Sequence, residues 1–453
     1  MKKTLEIVDM FCGAGGESTG IMQAAYALGM NINLTAINHW EVAIETHSKN
    51  HPSANHLCQS VELLDPVKVI KGNKVKMLWA SPECIFHSNA RGGRPRSEQG
   101  RASAWLILKW CSDLYIERVI IENVPEFLSW GPLDSKGHPI KSQKGKTFKA
   151  FITSLQSLGY MVDWRILTAA DYGDPTTRRR LFIQAVKDKK RIIWPEFTHT
   201  NCAENLFGYK SWIPARDIID WSIPGTSIFD RKKPLADATL KRIAVGIEKY
   251  WKDYAKPFLA VLYGSNDVCS LEKPLPSVTT SGAHHALVEP APLLMGHQAG
   301  QGARTIDQPV HTILAQGRVN LIQPFMIKCC HGGGDSKRVM SLSAPVPTLT
   351  CSNENALIEP FVFNIGHSSA KDRTRSINDP LSTVVVKAEH CLIQPDVSLD
   401  IRFRMLKPHE LKRAQGFPDD YVLTGNITEQ TKQIGNAVPV NTAKALAMVA
   451  LNN

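Results

Sequence analysis

The 453 residues carry 53 lysines and arginines against 42 acids, a formal net charge of +11, so a polyanionic partner is expected. With 43% hydrophobic residues the chain can bury two or three domain cores, which excludes wholesale disorder. No apolar run approaches the roughly 20 residues a bilayer span needs, no secretory core follows Met1-Lys2-Lys3, and the ten cysteines form no Cys-x-x-Cys pair. These features argue against a membrane span, an export signal, a metal site and a disulfide framework. They make a reduced cytoplasm the expected compartment. Charge alone does not separate nucleic acid from a membrane surface.

Leu5 to Phe11 reads as a strand, Cys12-Gly13-Ala14-Gly15-Gly16 as a tight turn, and Glu17 to about Leu28 as a helix. Strand, glycine turn and helix open a doubly wound α/β sheet, and the glycines let a ligand approach the backbone. The turn lacks the Lys-Ser/Thr ending of a phosphate-cradling loop, which argues against a nucleotide triphosphatase. A second strand, Asn33 to Ile37, ends at Asn38-His39-Trp40-Glu41, where such folds place a ribose-binding acid. A third, Val75 to Ala80, breaks at Ser81-Pro82 and leads through Glu83 to Cys84. After Ser88 comes a basic, glycine-rich stretch with Arg91, Arg94, Arg96 and Arg101. Cys84 is either a small buried hydrophobe or a nucleophile beside a cationic loop.

A helical alternation over Ala102 to Leu114 and a strand over Arg118 to Ile121 lead to Glu122-Asn123-Val124-Pro125. The glycine turn, Cys84 and Glu122 each fall at the carboxyl end of a strand, where open α/β sheets bind ligands. Asp163 to Leu167 and Leu181 to Val186 read as two more strands. Between them Arg178, Arg179 and Arg180 form either a solvated basic turn or a grip for phosphates or a base edge.

Beyond about residue 195 proline, glycine, serine and histidine become frequent, and an internal repeat follows. Its units end Leu287-Val288-Glu289-Pro290, Leu321-Ile322-Gln323-Pro324, Leu357-Ile358-Glu359-Pro360 and Leu392-Ile393-Gln394-Pro395. Each holds a second motif, such as Lys273-Pro274-Leu275-Pro276 or Ala344-Pro345-Val346-Pro347. Units with a period of about 35 residues, rich in threonine and valine, read as small β units. They form either a stacked structural array or a modular surface that reads a long ligand. The tail from Arg402 is α/β-like again and closes with a helix after Gly435-Asn436-Ala437-Val438-Pro439.

In this order the motifs resemble those of the C5-cytosine DNA methyltransferases along almost the whole chain, most of all phage or prophage members with a repetitive recognition region. Asp9-x-Phe11-x-Gly13-x-Gly15 is similar to the first S-adenosylmethionine motif, Pro82-x-Cys84 to the nucleophile motif, and Glu122-Asn123-Val124 to the acid motif. Arg178-x-Arg180 and Gly435-Asn436-Ala437-Val438 are similar to the arginine motif and to the final motif that completes the cofactor pocket. The resemblance implies a Rossmann-like catalytic domain over 1–200, a mainly β recognition domain over 201–398 with four repeats from about 257, and a return to the catalytic domain over 399–453.

It also implies a mechanism. Cys84 thiolate adds to carbon 6 of a cytosine flipped out of double-stranded DNA. Glu122 binds N3 and the exocyclic amine, Arg180 holds the O2 side, and Arg178 supports the site. Carbon 5 takes the methyl group, and loss of its proton releases the enzyme. S-adenosylmethionine would be held by Asp9, Phe11, Gly13, Ala14, Gly15, Gly16, Asn38, His39, Trp40, Ser60, Val61, Pro82, Asn436, Ala437 and Val438. Ser88 and the four arginines from Arg91 to Arg101 would close over the DNA, while the repeats read bases. No metal is expected. The partners implied are double-stranded DNA and a possible cognate restriction endonuclease, with the enzyme a monomer.

The chain departs from the family pattern in four places. Glu83 and Ile85 flank Cys84, Thr176 stands where the arginine motif usually opens with glutamine, the second cofactor motif has His39 with Glu41 nearby, and Ser60 falls where an acid is expected. A carboxylate beside the thiol opposes thiolate formation if it points inward. Alternatives are an RNA cytosine-5 methyltransferase and a catalytically silent DNA-binding regulator.

Overall fold

The computed structural model describes residues 4–83, 99–188, 190–201, 208–228, 231–235, 257–262, 268–278, 284–291 and 401–453, three residues near 240, and short strands between 293 and 400. Cys84, Ser88, Arg91, Arg94 and Arg96 lie outside the described residues, as do most of the proline motifs of the repeats; Arg101 is described only in its backbone.

Seven strands make the central sheet: β1 (Leu5–Met10), β2 (Ile32–Asn38), β3 (Asn55–Cys58), β4 (Lys74–Ala80), β5 (Tyr115–Asn123), β6 (Met161–Thr168) and β7 (Arg179–Val186). Their spatial order is β3-β2-β1-β4-β5-β7-β6. Pairing is parallel from β3 to β5, and β7 runs antiparallel between β5 and β6. The order reverses at β1 and β4, the switch point beside which such sheets bind ligands.

Alternate side chains of the central strands enter opposite cores. Val8, Met10, Leu78 and Ile121 pack on one face with Trp110 of α4 (Trp105–Asp113) and Phe151 of α5 (Lys146–Ser157). Ile7, Met77, Trp79 and Ile120 pack on the other with Ile21 of α1 (Gly16–Ala27) and Leu446 of the last helix (Val440–Asn452). A sheet buried on both faces needs near-continuous apolar strands, which is what Val119-Ile120-Ile121 and Met77-Leu78-Trp79-Ala80 supply.

The helix expected from Ala102 starts at Trp105, after a 3-10 turn over Gln99–Ala104. The strand expected over Arg118 to Ile121 runs from Tyr115 to Asn123, because β4 pairs with it from Tyr115 onward and β7, on the other edge, draws Glu122 and Asn123 into the ladder. A helix over Ile427–Asn436 was not foreseen; Asn426 and Glu429 cap it reciprocally. Together with the last helix it is the one stretch, among the described residues, long and apolar enough to cross a membrane, and two thirds of it is buried inside the molecule.

The chain divides into two compact units, Met1–Ile223 with Val261–Ala286 and Met405–Asn453, and Pro224–Ala260 with Leu287–Arg404. Among the described residues the second contains three antiparallel three-stranded sheets of one topology, each with its first strand in the middle. Those central strands are Leu293–Gly296, Phe325–Lys328 and Phe361–Asn364.

Candidate active site

Four segments of the first unit converge at the carboxyl edge of its sheet. After β1 the backbone turns sharply: Phe11, Gly13 and Gly15 all have positive φ, of 65°, 48° and 85°. A left-handed phenylalanine costs about 1–3 kcal/mol, a strain that clusters at functional sites. The turn opens α1, and at Gly13 the backbone is open: a Cβ there would meet only the Phe11 carbonyl oxygen, 4.0 Å away, room for a ligand to approach.

The chain's far end closes against it. A Cβ on Gly16 would stand 2.2 Å from the Val438 carbonyl oxygen, and one on Gly20 would stand 2.6 Å from the Lys444 amide nitrogen. Glycines four apart on one face of α1 thus admit the last helix at backbone contact. That helix starts on a buried carboxylate: Asp174 accepts from the Asn441 and Thr442 amides at 3.0 Å and from the Thr442 hydroxyl at 2.8 Å. Ala437 and Val438 are buried, and Asn436 is exposed.

Beneath the glycine turn lies a network that the sequence reading missed. The Ser18 hydroxyl donates to Asp9 Oδ2. It must therefore accept from His47 Nε2, 2.9 Å away, and His47 Nδ1 then accepts from His56 Nε2 at 2.8 Å. Donation runs one way, from His56 to His47 to Ser18 to Asp9. Beside it Thr19 donates to the Gly15 carbonyl at 2.6 Å and accepts from His51 Nε2 at 3.1 Å, and Tyr421 donates to the Ala14 carbonyl. Burial, helped by the neighbouring histidines, holds His47 well below the usual imidazole range and His51 at about 4, so both rings are neutral. Burial pushes Asp9 up to about 7 against the Ser18 bond, and Asp9 Oδ1 has no hydrogen-bond partner among the described residues. Three histidines within ten residues, at 47, 51 and 56, were the available signal.

At the end of β2 the Asn38 side chain accepts from the Trp40 amide at 2.9 Å, and the Trp40 ring takes the Lys432 ammonium 4.5 Å from its centroid. His39 and Glu41 are exposed; Ser60 precedes a 3-10 turn whose first residue, Val61, is buried. At the end of β4 the Ser81 amide donates to Met10 at 3.1 Å, and Asn123 Nδ2 donates to the Pro82 carbonyl at 3.2 Å. The turn that leads to Cys84 is therefore tied to the strands on both sides. Glu83 is exposed, so its carboxylate does not point inward there.

Glu122, one residue from the end of β5, is buried and paired with Arg180: Nε lies 2.9 Å from Oε1. The antiparallel course of β7 makes this possible, because its first residues reach the edge where β5 ends. Arg178 is engaged elsewhere, donating from Nη1 to the Val278 carbonyl at 3.2 Å. Thr176 is fully buried, and its hydroxyl accepts from the Arg178 amide at 3.3 Å.

The sequence profile of the C-5 cytosine-specific DNA methylases matches residues 5–211 and 352–451. The chain belongs to that family. The type II methyltransferase M.AgeI of Thalassovita gelatinovora is 26% identical over 477 residues, covering 98% of each protein. DNA (cytosine-5)-methyltransferase 1 of Gallus gallus is 24% identical over 483 residues, covering 98% of this chain and 29% of that much longer protein. In fold the chain is similar to the methyltransferase EhMeth of Entamoeba histolytica, with a TM-score of 0.51, 12% identity, and 100% and 99% of the two chains covered. The methylase is thus a transferase that modifies carbon 5 of cytosine in DNA.

Proposed function

We propose that the methylase takes its methyl group from S-adenosylmethionine and acts on a cytosine flipped out of double-stranded DNA. Support for the cofactor comes from the strained glycine turn and the orphaned Asp9 Oδ1 beside it. Asp9, Phe11, the glycine turn, Asn38, Trp40, Ser60, Val61, Pro82 and the return at Ala437-Val438 would hold it. When bound, it supplies the electrophilic methyl group.

The residues of the chain do the rest. Cys84, two residues after the Pro82 that Asn123 anchors, would add as thiolate to carbon 6 of the base, and leave again when carbon 5 has taken the methyl group and lost its proton. Glu122 binds N3 and the exocyclic amine. Arg180 orients Glu122 and takes the O2 side of the ring, and Arg178 braces the segment that carries Arg180. The observation that carries this reading is the buried Glu122–Arg180 pair two strands from the glycine turn, beside the strand that leads to Cys84.

The basic stretch from Ser88 to Arg101 would clamp the DNA backbone, and the repeats within 201–398 would read bases, with 1–200 and 399–453 forming the catalytic domain. The type II name of M.AgeI supports a cognate endonuclease. Since a single base is the target, the methylase acts as a monomer. Incubation with S-adenosylmethionine and mixed-sequence duplex DNA, digestion to nucleosides and mass spectrometry test the reading. Deoxy-5-methylcytidine is expected from wild type and none from Cys84→Ala, and an active Cys84→Ala would overturn it.

A further inference from the structure

Two carboxyls lie buried beside the glycine turn, and neither forms an ion pair with a lysine or arginine among the described residues. Asp9 is fully buried, with Oδ2 on Ser18 and Oδ1 unpartnered. Glu17, the second residue of α1, is 2% exposed. It follows the glycine turn directly, next to Ser18, which donates to Asp9, and the charges of Asp9 and Glu122 both act to raise its carboxyl. The other titratable groups around the two are the Cys12 thiol and the Tyr421 hydroxyl, with His47 reaching Asp9 through Ser18. None of these brings a positive charge. Arg180, beside Glu122, is already paired with that carboxylate.

The proposed methyl donor and its demethylated product differ by one charge, a sulfonium against a neutral thioether. We propose that Glu17, supported by Asp9, is the counter-charge for that sulfonium, and that it makes the pocket prefer the donor over the spent product. The inference rests on reading the glycine turn as the S-adenosylmethionine site. Burial and the neighbouring Asp9 raise the Glu17 carboxyl well above its ordinary range, so without a cation it retains its proton. A cation placed beside it drives that proton off, and loss of the sulfonium on transfer lets the proton return from solvent. The donor is held while charged, and the product loses its partner.

A carboxylate in the first turn of a helix also favours the helix dipole, whatever binds nearby. That role predicts the same effect on both ligands, which makes the two accounts separable. Calorimetric titration of wild type with S-adenosylmethionine and with S-adenosylhomocysteine, in buffers of different ionisation enthalpy, reads the protons exchanged. Proton release is expected with the donor and little with the product, and donor affinity should rise with pH while product affinity stays flat. In Glu17→Gln, neutral and of the same shape, the release should fall and the donor-to-product affinity ratio drop about tenfold, the equivalent of one pKa unit. Equal proton exchange for both ligands in wild type overturns the inference without any variant, as does a Glu17→Gln protein that weakens both ligands alike. A wild type that binds neither ligand overturns the cofactor reading itself, and this inference with it.

Discussion

Arg180 Nε stands 2.9 Å from Glu122 Oε1, joining the second residue of an antiparallel strand to the next-to-last residue of its neighbour. Both side chains are largely buried, so removing either partner leaves an uncompensated charge. Arg180→Met should cost about 3 kcal/mol of stability, measured by denaturant unfolding. It should also lower methyl transfer by about 10²-fold or more, since a charged donor at the base edge is lost. The Glu122→Gln/Arg180→Met double variant should recover part of the stability and none of the activity.

Asn123→Ala removes the donor that ties the Pro82 carbonyl to β5. A loosened turn misplaces the segment leading to Cys84, and small misplacements of a nucleophile are costly. Turnover should fall about tenfold or more while the dissociation constant for S-adenosylmethionine stays within about twofold. A rise in that constant with unchanged turnover would show that the Asn123 contact serves the cofactor instead.

Gly16→Ala places a methyl group 2.2 Å from the Val438 carbonyl oxygen. The obstacle is backbone, so no rotamer change relieves it, and overpacking of this kind costs about 1–3 kcal/mol. Thermal unfolding should shift down by several degrees. Val438→Ala should not rescue the variant, because it leaves that oxygen in place.

His51 titrates near 4 in the folded protein against an ordinary 6.5, chiefly because burial disfavours its charged form. Its folded pKa is depressed, so the unfolded chain binds the extra proton between those values. The resulting stability is fully present above pH 6.5 and is lost as pH falls toward 4. A complete shift is worth about 3 kcal/mol. His51→Gln should be less acid-sensitive than wild type over this window, and the difference between the two unfolding curves isolates the contribution from those of His47 and Asp9. Parallel curves would place the acid sensitivity elsewhere.

Much of the first unit was legible because its signals are local. Leu5 to Phe11 and Val75 to Ala80 are apolar runs broken by glycine or proline, and runs of that kind become strands wherever both faces are covered. The missed helix over Ile427–Asn436 has the capping pair Asn426 and Glu429 in plain view, and its buried side, Thr431 and Ile434, has a helical spacing that a mainly polar composition made easy to pass over. The histidines at 47, 51 and 56 were visible as a cluster, yet nothing local says that one reaches Ser18 and another Thr19.

By itself, the sequence determined the order of the motifs and the family they belong to, because composition, period and turn chemistry act within a few residues of one another. Tertiary structure alone decided that β7 enters the sheet backwards, which puts Arg180 rather than Arg178 against Glu122, and that Val438 returns to touch Gly16. It also decided that Glu17 and Asp9 share one buried space without a cation paired to either among the described residues. Those outcomes join residues far apart in the chain, and burial, charge and backbone approach are properties of the folded neighbourhood, which no local pattern carries.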